Sequence, residues 1–206
     1  MTMLVSYRNV CTVPEFSHCI MVYALRFWSS TKFIGLKVGL ALSGGLLIAL
    51  NYGCVAQVPR AFYVVGSSME PTLQIDDRLL VLPSAYSNEE PQRGDIVMFT
   101  MSSTPFDGNN SDPLIFRVIG LPGETFEVRD GQTLINEVSL SEPYISEAPT
   151  YTFEPITIPE DAYVVLGDNR NNAFDSHAWG FLPAAGITGK VQSIYWPPDR
   201  FGSVYD

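Results

Sequence analysis

Lysine is scarce in this chain: among 206 residues only Lys32, Lys37 and Lys190 carry an amine side chain. Cysteine is missing from residues 58–206, so that stretch can form neither an internal disulfide nor a thiolate metal site. Histidine is limited to His18 and His177, and a zinc site after residue 57 would have to rest on carboxylates, a poor donor set. No metal and no cofactor are expected. Positive charge is short overall, with 12 basic residues against 22 acidic ones and a net charge of −10, which excludes a phosphate-backbone binder. The shortage is uneven. Residues 1–57 hold Arg8, Arg26, Lys32 and Lys37 against Glu15 alone, a net +3, whereas residues 58–206 carry −13.

A greasy run joins the two parts. Phe33 to Ala56 reads FIGLKVGLALSGGLLIALNYGCVA, and Val38–Ala56 contains no formal charge. About 20 apolar residues in a helix cross a bilayer, so the run predicts a transmembrane anchor at 33–56. All four basic residues of the head precede it, and the positive-inside rule places residues 1–32 in the cytoplasm or stroma. The C-terminal part then lies on the trans side (periplasm, lumen or extracellular space), with membrane lipid as a partner and nucleic acid excluded. Three other readings are a buried core helix, a signal segment cleaved after Cys54-Val55-Ala56, and a lipobox at Cys54. The last is disfavoured by Asn51, where an aliphatic residue is expected.

After Ala56 the texture is β. Val58–Val65, Asp77–Leu82, Asp95–Thr100, Ile115–Ile119, Thr125–Val128, Thr133–Ile135, Ile156–Ile158, Ala162–Leu166 and Lys190–Trp196 are short, β-branched or aromatic runs split by turn residues. Asp130-Gly131 between two of them predicts a tight hairpin. Ser84–Pro91 and Thr104–Pro113 read as polar loops, and no sustained 3.6-residue period appears. The expected fold class is mainly β: a basic head (1–32), a single N-terminal transmembrane helix (33–56) and an all-β domain (57–206).

Three segments carry chemistry: Gly66-Ser67-Ser68-Met69-Glu70-Pro71-Thr72-Leu73; Arg93-Gly94-Asp95-Ile96-Val97 with Arg117-Val118-Ile119-Gly120-Leu121-Pro122-Gly123; and Gly167-Asp168-Asn169-Arg170-Asn171-Asn172-Ala173-Phe174-Asp175-Ser176-His177-Ala178-Trp179-Gly180. Read together, they resemble the boxes of the type I signal peptidases, membrane-anchored Ser/Lys endopeptidases. The resemblance implies an active site facing the bilayer on the trans side. It also implies that exported precursors with signal peptides, small residues at −3 and −1, are bound as an added strand. Ser68 takes the nucleophile position, and its backbone N–H one place in the oxyanion hole. Gly66, Ser67, Met69, Pro71, Ile115 and Arg117 are expected to line the substrate cleft. Asp168, Asn169, Arg170, Asp175 and Ser176 are expected to hold the third segment together.

The match breaks at the base. The family's lysine precedes the arginine of its second box, and here that residue is Phe116, which accepts no proton. A serine that commonly bonds this lysine is replaced by Ala173. Arg117 stays protonated and cannot substitute. His177 is a candidate substitute base, on the pKa of an ordinary imidazole. Two functions therefore stand side by side. One is a serine endopeptidase removing signal peptides; the other is an impaired paralogue that binds exported peptides or a membrane partner through the same cleft. A conjugative or pilin-processing peptidase, and a lipid-anchored β domain unrelated to proteolysis, are further alternatives.

Overall fold

The structure is a computed structural model that describes residues 5–6, 58–100 and 112–205. The anchor expected at 33–56 lies outside the described residues, and among those described no helix is long and apolar enough to cross a membrane. The described residues all belong to one compact unit, residues 1–8 with 57–206.

That unit is mainly β. A large sheet runs in the order β1 (Val5–Ser6), β2 (Arg60–Val64), β3 (Arg78–Leu82), β12 (Ile187–Trp196), β4 (Ile96–Phe99), β5 (Leu114–Gly120), β10 (Ala162–Leu166) and β11 (Leu182–Pro183), with β13 (Gly202–Ser203) paired to β12. A four-stranded sheet runs β8 (Val138–Ser139), β7 (Gln132–Ile135), β6 (Thr125–Arg129), β9 (Phe153–Thr157). Every described pairing is antiparallel. The Asp-Gly hairpin forms as expected. Arg129 pairs with Gln132, and Asp130 and Gly131 both take positive φ, as a two-residue primed turn requires.

Two hydrophobic cores share one wall. The alternation of side chains along β10 sends Tyr163 and Val165 into the core of the large sheet, and Val164 and Leu166 into the core of the small one. Burial on both faces explains why AYVVL is apolar at every position. β5 is buried throughout its seven residues, although it contains Arg117. The chain emerges from this doubly buried wall at Gly167, where the third segment begins. Relative to expectation, β9 starts three residues earlier and β12 extends back to Ile187. A one-turn helix, α1 (Ser176–Trp179), also appears where no helical period was legible.

Candidate active site

The first segment is a tight loop between β2 and β3. It is closed by Val64 N–H to Asp77 C=O and Leu73 N–H to Met69 C=O, each 2.9 Å, and pinned by the fully buried Met69 and Leu73. The third segment is bonded to it across some hundred residues of chain. Asn169 N–H donates to Ser68 C=O at 3.0 Å, and Asn169 Nδ2 to Ser67 C=O at 3.0 Å. Asn172 Nδ2 donates to Ser67 Oγ at 3.1 Å, while Ser68 Oγ donates to the Asn172 carbonyl at 3.4 Å. Gly167 is required at this junction, because a Cβ there would lie 2.4 Å from Ser68 O and 2.5 Å from Ala173 Cβ.

Three arginine or histidine pairs hold the third segment in place. Arg117 places Nε 2.8 Å and Nη2 2.7 Å from the two oxygens of Asp168, and Nη1 2.9 Å from the Gly94 carbonyl. Thr72 Oγ1 also donates to Asp168, and the guanidinium stacks 4.1 Å over the Tyr144 ring, so one ion pair joins all three segments. Burial pushes the Arg117 pKa down, but the Asp168 hydrogen bonds and charge push it up by more, and it ends raised. Arg170 is anchored in the same way by Glu142, at 2.8 Å from Nη1, with Thr133 Oγ1 and the Gly167 carbonyl completing its set. Asp175 accepts from Gly167 N–H at 2.8 Å, from His177 N–H at 3.0 Å and from His177 Nδ1 at 2.8 Å, and so caps α1. Ser176 Oγ accepts from Val165 N–H. The His177 ring stacks on Tyr151, centroids 4.4 Å apart.

The residues expected to line the substrate cleft are placed as follows. Gly66 and Ser67 lie on the loop beside the junction, and Pro71 is exposed. The side chains of Met69 and Ile115 pack in the main core, and Arg117 is 4% exposed. The physical reason for Arg117 is that a guanidinium inside a fully buried strand must be paired. Asp168, Asn169, Arg170, Asp175 and Ser176 all sit in the bonding network of the third segment.

At residue 116, where the resemblance expects the base, stands an apolar block. Phe116 is fully buried opposite Val97, its ring 5.9 Å from Phe99, which lies 6.0 Å from Trp179; Ala173 belongs to the same core. Lys190, the sole lysine after residue 57, pairs with Val97 on the strand between, two strands across from Phe116. Adjacent strands are about 4.8 Å apart, so the two positions are roughly 10 Å apart. Its Nζ is bound to Asp95 Oδ1 at 2.6 Å. The described contacts connect His177 to Asp175 and Tyr151, and Ser68 to Asn172.

Two contributors were missed from sequence. Glu142 lies in a stretch without a motif, although a buried arginine demands a carboxylate from somewhere. Tyr151, stacked on His177, has a buried hydroxyl without a partner among the described residues.

A family profile described as signal peptidase, peptidase S26, matches residues 38–196. The chain is 43% identical to signal peptidase I of Leptolyngbya laminosa over 162 residues, covering 78% of this chain and 80% of that one. It is 40% identical to a protein named probable signal peptidase I-2 from Synechocystis sp., covering 83% and 78%. With thylakoidal processing peptidase 1, chloroplastic, of Arabidopsis thaliana it shares 35% identity, covering 66% of this chain and 42% of that protein.

Proposed function

The chain belongs to the signal peptidase (peptidase S26) family, and on that premise we propose that it acts on exported precursors, removing their signal peptides as a serine endopeptidase with Ser68 as the nucleophile. The observation that carries the reading is the junction at Ser68, where the nucleophile loop is clamped to the third segment by four hydrogen bonds. Leu114, Ile115 and Phe116 keep the edge of β5 beyond Leu166 without a described strand partner. A precursor pairs there by backbone hydrogen bonds, the general mode of strand addition. The membrane anchor at 33–56, and with it the trans location of the β domain, belong to the same proposal.

Attack requires the Ser68 proton to leave, and the family's acceptor is absent. The Asn172 carbonyl that receives the hydroxyl is a hydrogen-bond acceptor, not a base. His177 is the substitute we propose: with Nδ1–H given to Asp175, the neutral ring keeps Nε2 as an acceptor. The burial of Phe116 beside Phe99, in the core that also takes Ala173, favours a second reading. In it the chain binds precursors, or a protein partner, and cleaves poorly or not at all, since losing a catalytic base costs several orders of magnitude. The test is direct. Full-length protein in detergent is incubated with a precursor carrying an Ala-x-Ala site, alongside Ser68→Ala and His177→Ala. Cleavage abolished by Ser68→Ala establishes the peptidase, and its further loss in His177→Ala identifies the base. Binding without cleavage establishes the second reading.

A further inference from the structure

A cavity of about 390 Å³ opens between the polar loop that follows β3 and the start of β10, and none of its residues belongs to the Ser68 junction. Tyr86, Tyr163, Pro91 and Pro122 form its walls, with Ala184 and Ile187. Its charged lining is Glu89, Glu90 and Glu160, and no basic residue lines it.

The loop is held by Asp95, which accepts from Tyr86 Oη at 2.9 Å and from Gln92 N–H at 3.1 Å. Asp95 also takes the Lys190 ammonium, and Arg93 pairs with Glu124, so both of these cations are already spent. Glu160 stands against the Pro122-Gly123 turn, where a Cβ on Gly123 would lie 3.3 Å from its Oε1. Glu89, Glu90 and Glu160 are exposed, and none of them forms an ion pair among the described residues.

Tyr163 is an independent sign that something enters. It is 3% exposed, yet its hydroxyl has no hydrogen-bond partner among the described residues. Buried tyrosine hydroxyls are ordinarily paired, so this one is left for a group that occupies the cavity it lines. Burial raises its pKa and the charge of Glu90 raises it further, so the hydroxyl stays neutral, an acceptor beside a carboxylate. Among the described residues no three carboxylate, imidazole or thiol groups converge as a metal ion requires. A guanidinium fits this spread of acceptors: it is planar and weakly hydrated, stacks on aromatic rings, and carries five N–H donors pointing in different directions.

We propose that this cavity is a binding site for a guanidinium group, held by Glu89, Glu90 and Glu160, flanked by the rings of Tyr86 and Tyr163, and bonded by the Tyr163 hydroxyl. The site is separate from Ser68 and stands whether or not the chain cleaves precursors. It is tested by ligand-observed NMR titration of the full-length protein in detergent with acetyl-arginine amide and its uncharged isostere, acetyl-citrulline amide. The arginine compound is expected to bind about tenfold more tightly, the scale of one hydrogen bond to a charged group. Glu90→Gln with Glu160→Gln, both exposed, should reduce that ratio to about threefold or less. Glu137→Gln with Glu154→Gln, exposed carboxylates outside the cavity, removes the same charge and should leave the ratio unchanged. Tyr163→Phe should weaken arginine binding about threefold. An acetylated Ala-Ala-Arg-Ala-Ala amide distinguishes the sources: binding at least as tight as that of acetyl-arginine amide supports the site as one for a protein segment, and weaker binding supports it as one for a free small cation. Equal affinities for arginine and citrulline, or no binding of either, overturn the site. An equal loss in both double variants also overturns it, because the diffuse field of an acidic domain then explains the attraction.

Discussion

Replacing Phe116 with lysine places the stability and the chemistry of the site in opposition, and both sides can be estimated. The side chain is fully buried between Val97 and Phe99 in a core that includes Ala173. Truncating such a phenylalanine costs about 3–5 kcal/mol, and a four-carbon stem refills part of the space, leaving a loss of about 2–4 kcal/mol. For a domain of this size that corresponds to a fall in Tm of roughly 5–15 °C, tolerable against a total stability of about 5–15 kcal/mol. In return, burial favours the neutral amine, the form able to take the Ser68 proton. A positioned general base contributes about 10²–10⁴-fold in rate. Phe116→Lys combined with Ala173→Ser is therefore expected to cleave an Ala-x-Ala precursor at least about 100-fold faster than the wild type. Band quantification on gels measures the rate, with thermal unfolding recorded on the same samples. A folded double variant no faster than the wild type would show that the apolar block is not what limits cleavage. So would a wild type already cleaving as fast as an ordinary signal peptidase.

Other perturbations probe the scaffold and the topology. Asp168→Ala strands Arg117, 4% exposed, without its counter-ion, and should cost about 3–5 kcal/mol in chemical denaturation. Arg117→Met with Asp168→Leu should recover most of that, and a loss below about 1 kcal/mol in the single variant contradicts the assigned role. Tyr144, Tyr151 and Tyr205 have pKa values raised above the ordinary tyrosine range, chiefly by burial, as does Tyr86, by burial and then by the charge of Asp95. The neutral folded form is thus fully favoured below about pH 10, and stability should fall as pH rises beyond it; a flat denaturation midpoint from pH 9 to 11 would count against this. Gly131→Ala, at φ +75° in the hairpin, should lower stability by about 1 kcal/mol in the same assay. In membranes, the proposed anchor leaves Cys11 and Cys19 protected from an impermeant maleimide applied from the trans side. The pairing of Val5–Ser6 with β2 instead joins the start of the head to the β domain, and labelling of Cys11 would favour that arrangement over the proposed anchor.

Much of this protein was legible before any coordinates. Short β-branched runs become strands because alternating burial suits them, and the Asp-Gly pair could hardly form anything but a tight primed turn. The absence of lysine at residue 116 is a fact of composition that no packing can repair. What sequence could not supply is who meets whom at long range. Arg117 read as a cleft residue because an arginine next to a base position invites that view, and only β5's burial on both faces turned it into the partner of Asp168. Glu142 was invisible for a related reason: its role depends on Arg170 lying 28 residues further along the chain, and local pattern encodes no such distance. The kinds of side chain available, phenylalanine rather than lysine at residue 116 among them, were determined by the sequence alone. Tertiary structure decided that Phe116 sits in a dry aromatic core, and that His177 is held by Asp175 and stacked on Tyr151, because burial and pairing are properties of neighbours in space.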